Sequence, residues 1–397
     1  MAEPRTYTAR WIVPVSTEPL ANGTITVDGT TIVAVEPRGT RTPDVDLCNV
    51  AIIPGLVNCH THLDLSGARG KIPPTDPEHF TDWLKGVIAY RRSRSPEEVK
   101  ADIRDGLAEC LRYGTTLIGD IASGGASWDA LASMKIRSRV FHEIIGLTRE
   151  RMTANSSLAF QWFHSRPELS LCRPGYSPHA PYSCHRDAFA EPECLCSHIA
   201  ESPGEMELLG TQRGEFVEFL KGLGAWDAAS LYPIDTYLTR SRLSKRFLLV
   251  HANYFPLESS RYLNAFLHSI VYCPRTHAAF GHPRHPFREF QARDVRVALG
   301  TDSLASNPDL DLLAEARFAH AIRPEVPHEE LLRMATLTGA EALGWADETG
   351  SLEPGKSADF VALPLANRDA ADVHELIFGD DFPNAERRTM FRGEWRN

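Results

Sequence analysis

The chain has 397 residues, which is enough for one large domain or for one domain with a small partner. Hydrophobic residues make up 43% and charged residues 24% of the chain, a composition typical of globular proteins rather than disordered or fibrous ones. The 42 basic and 52 acidic residues give a formal net charge of −10, which argues against nucleic acid or an anionic membrane as a partner.

The sequence also predicts the compartment. Its beginning, "MAEPRTYTARWIVPV", lacks the basic segment and long apolar segment of a secretory signal, and no apolar run approaches the ~20 residues that span a bilayer. Eight cysteines are scattered along the chain, so we expect free thiols in a reducing compartment rather than a disulfide framework. We therefore expect a cytoplasmic protein.

The first 50 residues are predicted to be β-structure. In the stretch "GTITVDGTTIVAVEP", polar and apolar residues alternate on both sides of an Asp-Gly pair, which is typical of a hairpin.

The next apolar run ends in two histidines, within "IIPGLVNCHTHLDLSG" (residues 52–67). Side chains at positions i and i+2 of a strand point the same way, so His60 and His62 would converge on one point. A metal ion needs such convergence, although an isolated pair of this kind could equally be two hydrogen-bonded core histidines.

Further strand-like runs alternate with helical or loop segments. A helix is predicted over residues 95–114, with Ser95 as its N-cap and Pro96 in its first turn, and another over residues 327–345. The segment from Ser183 to Cys194 is short for a crossover, so we expect a shortened helix there. The remaining apolar runs are at 114–122, 138–147, 169–180, 194–201, 246–254, 269–275 and 295–303.

Together with the run that ends at His62, these make eight strands alternating with helices, which predicts a (β/α)8 barrel. Two more strand-like stretches, 359–365 and 387–395, follow near the other terminus. Neither terminus can form a stable sheet alone. We therefore predict an α/β protein with a barrel over residues 52–346 and a small β-sandwich domain composed of residues 1–51 and 347–397.

Polar residues that can bind a metal follow several of these strands. Catalytic groups of a parallel barrel lie at the C-terminal ends of its strands. His60 and His62 follow the first strand, His198 the fifth, His251 the sixth and Asp302 the eighth. Neutral imidazoles and a carboxylate suit a divalent ion, and ligands drawn from separate strands suit an open catalytic site. The pattern predicts a metal centre in the mouth of the barrel.

Four motifs, at the first, fifth, sixth and eighth strands, resemble those of the amidohydrolase superfamily in the same order. They are "PGLVNCHTHLD", "SHIAES", "VHANY" and "LGTDS". The resemblance covers nearly the whole chain, including the closing "TLTGAEALGW" and "GSLEPGKSADFVAL". It implies the barrel fold with its composite β domain, and a metal-dependent hydrolase that acts on a small molecule and associates with copies of itself.

The resemblance also implies a subtype with one metal ion. Members with two ions carry a lysine after the fourth strand, whereas this chain has "YSPHAPYS" there. By analogy with the deaminase branch, Glu201 moves a proton, and His251 is a proton mover rather than a ligand. Asp302 takes part in the catalysis and also binds the metal. The implied ligands are His60, His62, His198 and Asp302, with zinc as the expected ion and iron as the alternative.

The stretches "FTDWLKGVIAYRR", "CPRTHAAFGHPRHPF" and "SLASNPDLDLL" are similar to those of aminodeoxyfutalosine deaminases and of related adenosine-type deaminases. This similarity implies hydrolytic deamination of a 6-aminopurine nucleoside on the futalosine route to menaquinone, with release of ammonia. The candidate substrate-binding residues are Phe80, Trp83, His179, His277 and Ser303. A further loop histidine, His282, is a weaker candidate.

Several alternatives remain open at the level of the sequence. The substrate could be adenosine, methylthioadenosine, S-adenosylhomocysteine or guanine. A triazine-type chlorohydrolase or aminohydrolase uses the same ligands but often a different acid, and retention of Glu201 and His251 favours deamination. A non-catalytic scaffold on the same barrel would lack ligands, and none is lost here.

Overall fold

The computed structural model describes residues 3–190, 193–241 and 246–396. Within them, no helix is both long enough and apolar enough to cross a membrane. All eight cysteines are free thiols, and all but Cys48 are buried.

The strands form three sheets. Their bounds are β1 Arg5–Thr8, β2 Trp11–Ile12, β3 Leu20–Ala21, β4 Thr24–Asp28, β5 Thr31–Glu36, β6 Val45–Asp46, β7 Val50–Pro54, β8 Leu56–Thr61, β9 Thr115–Ala122, β10 Arg137–Ile144, β11 Cys172–Pro178, β12 Cys194–Ile199, β13 Arg246–His251, β14 His268–Tyr272, β15 Arg296–Leu299, β16 Phe360–Pro364, β17 Arg388–Phe391 and β18 Glu394–Arg396.

The largest sheet contains the eight strands from β8 to β15 in sequence order. The pairs from β10 to β15 are parallel in every register that the structure gives. The backbone N–H of Thr301, just after β15, donates to the carbonyl of His60 on β8 at 3.2 Å, which brings the last strand to the first. The eight strands and their helices form a (β/α)8 barrel, as the sequence predicts.

The helices fall mostly between the barrel strands. Ser95 and Glu98 form a reciprocal capping box at the start of the second helix, which confirms the predicted N-cap. The bounds are α1 Phe80–Ser93, α2 Pro96–Arg112, α3 Trp128–Ser133, α4 Arg149–His164, α5 Pro203–Thr211, α6 Glu215–Gly222, α7 Ile234–Arg240, α8 Pro274–Ala279, α9 Phe287–Gln291, α10 Leu312–Ile322, α11 His328–Met334, α12 Leu337–Leu343 and α13 Val373–Phe378.

The prediction of one continuous helix over residues 327–345 is wrong. Helices α11 and α12 are separate, and the backbone of Thr336 between them has φ −136° and ψ −96°. The carbonyl of Ala335 accepts a hydrogen bond from the backbone of Val57, at 2.9 Å. This hydrogen bond joins residues that are distant in sequence, and it uses a carbonyl that a continuous helix would need as an acceptor.

The segment from Ser183 to Cys194 contains a short 3-10 helix at Arg186–Ala190. Residues 191–192 lie outside the described part, so the shortened crossover is described only in part.

The terminal segments form the two smaller sheets, with strand orders β5-β4-β1-β6 and β18-β17-β16-β7-β2-β3. In the second sheet, β16 from the C-terminal part pairs antiparallel with β7 from the N-terminal part. A buried cluster that includes Tyr7, Ile25, Ile52, Phe360 and Met390 packs their faces together. Burial of such apolar surface is the main favourable term in folding.

By backbone packing, the chain divides into two compact units. One consists of Met1–Asn58, Ala108–Ile118 and Asp311–Asn397, and contains the terminal sheets. The other consists of Cys59–Leu107 and Gly119–Leu310, and contains the candidate site. The boundaries predicted from the sequence, near residues 51 and 347, stay a prediction.

Candidate metal centre

The ends of three barrel strands, β8, β12 and β15, bring the predicted ligands together. Asp302 Oδ1 lies 3.3 Å from His60 Nε2 and 3.8 Å from His62 Nε2. His62 Nε2 and His198 Nε2 are 3.2 Å apart. All four side chains are buried. The sequence places them far apart, and the barrel gathers them at one edge.

Two overlapping triads have ligand atoms that all lie within 4.8 Å of one another. One is His60, His62 and Asp302, and the other is His60, His198 and His251. Three imidazoles and a carboxylate are the donor set that zinc and similar divalent ions prefer. The residues present therefore fit a divalent metal ion, and His251 lies at the same centre as the predicted ligands.

The protonation of these histidines suits metal binding. Burial, together with the neighbouring imidazoles, lowers the pKa of His198 to about 3 and the pKa of His62 well below its usual range. Both rings are neutral at pH 7, the form that binds a metal. His198 Nδ1 lies 2.9 Å from the carbonyl of His179, so an N–H there leaves the lone pair on Nε2, which faces the centre.

The turns that follow the strands have unusual backbone conformations. Ala200, His251, Ala252 and Asp302 have φ values of 51°, 68°, 56° and 58°. Residues other than glycine rarely adopt this left-handed backbone conformation, and those that do cluster at functional sites. The turns carry Glu201 and Asp302 into the mouth of the barrel.

Hydroxyl groups orient Asp302. Ser306 Oγ donates to Asp302 Oδ2 at 3.1 Å, and Thr276 Oγ1 lies 3.0 Å from Ser306 Oγ. Thr61 Oγ1 donates to the Asp302 carbonyl at 3.1 Å. Because Oδ2 is held in this way, Oδ1 is directed at His60 and His62.

Glu201 lies beside His251, with 3.2 Å between Glu201 Oε1 and His251 Nε2. Its backbone N–H donates to Glu205 Oε2 at 2.8 Å, and its carbonyl accepts from Asn253 Nδ2 at 3.0 Å. Burial raises the pKa of Glu201 well above its usual range, and the carboxylates of Asp302 and Glu205 raise it further. Glu201 can therefore carry a proton at neutral pH.

A small cavity of about 40 Å³, called here the metal cavity, adjoins these groups. Three of the predicted substrate-binding residues line it, Trp83, His179 and Ser303. Its full lining in the described chain is His62, Leu65, Trp83, Leu84, Val87, Arg91, Glu143, His179, Tyr182, His198, Glu201, His251, Asp302 and Ser303.

Two other predicted contacts, Phe80 and His277, are not among those lining residues. Phe80 packs against Trp83 and Phe280, with ring centroids 5.4 Å away in each case. His277 packs against His282, with ring centroids 5.2 Å apart. Both side chains therefore pack against neighbouring rings.

The sequence analysis missed several residues at this site. Arg91 forms ion pairs with Asp64 at 3.3 Å and with Glu143 at 3.1 Å, beside the metal cavity. Asp120 Oδ1 accepts the backbone N–H of Leu63, which follows His62, at 2.9 Å. Asp64 belongs to the quoted histidine motif, and Glu143 ends β10, so their positions at strand ends were the available signal.

The model of the amidohydrolase family matches residues 51–396. The chain belongs to the amidohydrolase family. It is therefore a hydrolase, and its buried histidine cluster could hold a divalent metal.

Relatives named as deaminases are moderately similar to this chain. A 5-methylthioadenosine/S-adenosylhomocysteine deaminase of Moorella thermoacetica is 28% identical over 89% of this chain and 84% of its own length. An aminodeoxyfutalosine deaminase of Nitratiruptor sp. is 27% identical over 80% of each chain. Among solved structures, an adenosine deaminase from Xanthomonas campestris with bound zinc has a TM-score of 0.77 at 24% identity, over 98% of this chain and 92% of its own.

Proposed function

We propose that this hydrolase deaminates a 6-aminopurine nucleoside, and that its substrate is aminodeoxyfutalosine. Water replaces the 6-amino group of the purine, and the products are futalosine and ammonia. The relatives that act on purine nucleosides support the reaction class. The observation that carries the proposal is the buried Glu201 carboxyl, 3.2 Å from His251 and beside the candidate ligands.

His60, His62, His198 and Asp302 would hold one divalent ion, and we propose zinc. Zinc is bound in the related adenosine deaminase, and imidazole and carboxylate ligands suit it. A bound ion of this kind supplies Lewis acidity, which lowers the pKa of water to about 7.

The protein's own groups would move the protons. Burial lowers the pKa of His251 well below its usual range, so its ring is neutral and can accept a proton from the attacking water together with Asp302. Glu201, whose pKa burial raises, would donate a proton to a nitrogen of the purine ring and then assist the departure of ammonia.

Methylthioadenosine and S-adenosylhomocysteine are the second candidate substrates, because the Moorella relative acts on them. We also propose that the reaction takes place in the cytoplasm. Since the Nitratiruptor relative acts on aminodeoxyfutalosine, we propose that the reaction belongs to the route to menaquinone.

The variant Glu201→Gln tests the role of the acid. It keeps the size and burial of the side chain but cannot supply the proton, so kcat falls by at least ~10²-fold while the metal content per chain stays unchanged. The measurements are steady-state ammonia release and elemental analysis of the purified protein.

The exposed carboxylate of Glu207, on α5, offers a matched control. Glu207→Gln should retain both activity and metal. Full activity of Glu201→Gln would refute the proposed proton transfer, and a joint loss of metal and activity would make Glu201 a ligand instead.

A further inference from the structure

A second cavity, called here the side cavity, adjoins the metal cavity and has a volume of about 490 Å³. The two cavities share wall residues, since Leu84, Val87, Arg91, His179 and Tyr182 line both. The rest of the side cavity's wall is mainly apolar and includes Ile88, Ile145, Leu147, Phe219, Leu220 and Leu223.

The volumes indicate which part of a substrate each cavity can hold. The metal cavity, about 40 Å³, has room for only a few water molecules, so a whole nucleoside does not fit in it. The metal cavity is too small even for a purine ring, so when the reacting carbon faces Glu201 and Asp302 the rest of the nucleoside extends past the residues that line both cavities. The side cavity lies there, and its volume of about 490 Å³ has room for the ribose and for a 5′ substituent of the size of an aromatic ring.

The charges of the side cavity are positive or neutral. No acidic residue is among the side chains that line it in the described chain. Arg91 is already paired with Asp64 and Glu143, whereas the exposed guanidinium of Arg151 has no ion pair among the described residues. A cationic group placed here would lose its hydration without gaining a partner.

We propose that the side cavity binds the substituent on the 5′ carbon of the nucleoside ribose and selects a largely apolar group that carries no positive charge. This inference rests on the proposed function, and it separates the candidate substrates. The amino-acid tail of S-adenosylhomocysteine carries a carboxylate, which Arg151 would attract, but also an ammonium group, which no acidic side chain of the wall matches. The aromatic ring of aminodeoxyfutalosine fills the cavity, and its carboxylate is attracted to Arg151 with no cationic group beside it.

A series of 5′-substituted 5′-deoxyadenosines tests the selection. The substituents are phenylthio, 3-carboxyphenylthio and 3-aminopropylthio, with adenosine as the reference. Burial of the ring predicts that kcat/KM for both aromatic compounds exceeds that for adenosine by at least about tenfold. The cationic compound should show no such gain. Equal values for adenosine and the phenylthio compound would overturn the proposal.

Ile145 lines the side cavity. Because it is 46% exposed, a polar substitution there is expected to leave the fold intact. Ile145→Asp should abolish most of the preference for phenylthio over adenosine, measured as the ratio of their kcat/KM values. The matched control is Leu158→Asp, an exposed apolar residue of α4 that is not part of the cavity wall. An unchanged preference in Ile145→Asp would contradict the proposed subsite.

Arg151→Glu tests the charge in the same way. It should reduce kcat/KM for the carboxyphenyl compound and raise it for the aminopropyl compound, whereas Arg149→Glu, an exposed arginine in the same helix, should change neither. Identical charge preferences in the two variants would remove Arg151 from the proposal.

Direct binding separates failure of this inference from failure of the proposed function. Dissociation constants of the same analogues, measured by calorimetry on wild type and on Ile145→Asp, report on the cavity even when no analogue is deaminated. Tighter binding of the phenylthio compound that Ile145→Asp abolishes would support the side cavity alone. If the wild type bound the phenylthio compound no more tightly than adenosine while still deaminating adenosine, the side cavity alone would be refuted.

Discussion

The two carboxylate oxygens of Asp302 have different partners. Oδ1 lies toward His60 and His62, while Oδ2 accepts the hydroxyl of Ser306, which is in turn within 3.0 Å of Thr276 Oγ1. Partners of this kind fix the orientation of a metal ligand and commonly change metal affinity by ~10–100-fold when they are removed. Ser306 is therefore a positioning residue.

Ser306→Ala should weaken metal binding by ~10–100-fold, because Asp302 is then free to rotate away from the histidines. Competition with a chelator measures the dissociation constant. Thr276→Ser, which retains the hydroxyl, should bind metal like the wild type. An unchanged dissociation constant in Ser306→Ala would show that the backbone alone holds Asp302.

Asp120 illustrates a buried acid with a structural role. Its Oδ1 accepts the backbone N–H of Leu63, and its Oδ2 accepts the hydroxyl of Ser127. Burial raises its pKa from 3.8 to about 8. The folded chain therefore holds this proton more tightly than the unfolded chain does, and the resulting stabilisation is complete below pH 3.8 and is lost as the pH rises through 8.

This shift predicts a pH-dependent effect of Asp120→Asn. The free energy of unfolding of wild type, minus that of the variant, should fall as pH rises from 5 to 8, by up to ~1.4 kcal/mol per pH unit. Urea unfolding of the metal-free proteins at several pH values measures it. The exposed Asp129→Asn is the control, and parallel pH curves for wild type and Asp120→Asn would refute the raised pKa.

At the scale of elements, the close approach of β15 to β8 depends on Gly300. A Cβ at this position would lie 2.9 Å from His60 Cβ and 3.0 Å from Val271 Cγ1. Real Cβ atoms rarely come so close to a neighbour, so a methyl group here must displace the backbone that carries His60. The glycine thus connects the packing of the strands to the geometry of the metal centre.

Gly300→Ala should lower the free energy of unfolding by about 1–3 kcal/mol and weaken metal binding, because overpacking shifts His60. Gly210 in α5 has open space around its position, so Gly210→Ala should instead stabilise the protein by about 0.5–1 kcal/mol. Urea unfolding and metal titration check both variants. Wild-type stability and metal affinity in Gly300→Ala would contradict the account.

At the scale of the whole molecule, the barrel and the grouping of the candidate ligands at its edge could be predicted because each signal is local. Short apolar runs end at His60, His198, His251 and Asp302, and the geometry of a parallel barrel then places those ends at one edge. The two terminal segments could likewise be recognised as strands from their alternation. Which strands pair, such as β7 with β16, depends on contacts between distant segments.

The same limit explains what the sequence did not predict. Helix 327–345 breaks because Val57 takes the carbonyl of Ala335, and nothing within the helix signals this. Phe80 packs against Phe280, some 200 residues further along the chain, a contact that no local pattern signals, and its role in substrate binding stays a prediction. Glu143 is a single acid near the end of β10, and its ion pair with Arg91, a residue of a different element, has no signal in the local sequence.

The most direct test of the central claim is ammonia release by the purified protein with one equivalent of zinc. The panel is aminodeoxyfutalosine, methylthioadenosine, S-adenosylhomocysteine and adenosine. Guanine and cytosine are included as compounds outside the class of 6-aminopurine nucleosides. The account predicts rapid release from the 6-aminopurine nucleosides, fastest from aminodeoxyfutalosine, and none from cytosine. If the metal-bound protein released no ammonia from any compound of the panel, the account would be contradicted. That result would favour a reaction that removes another leaving group from a nitrogen heterocycle.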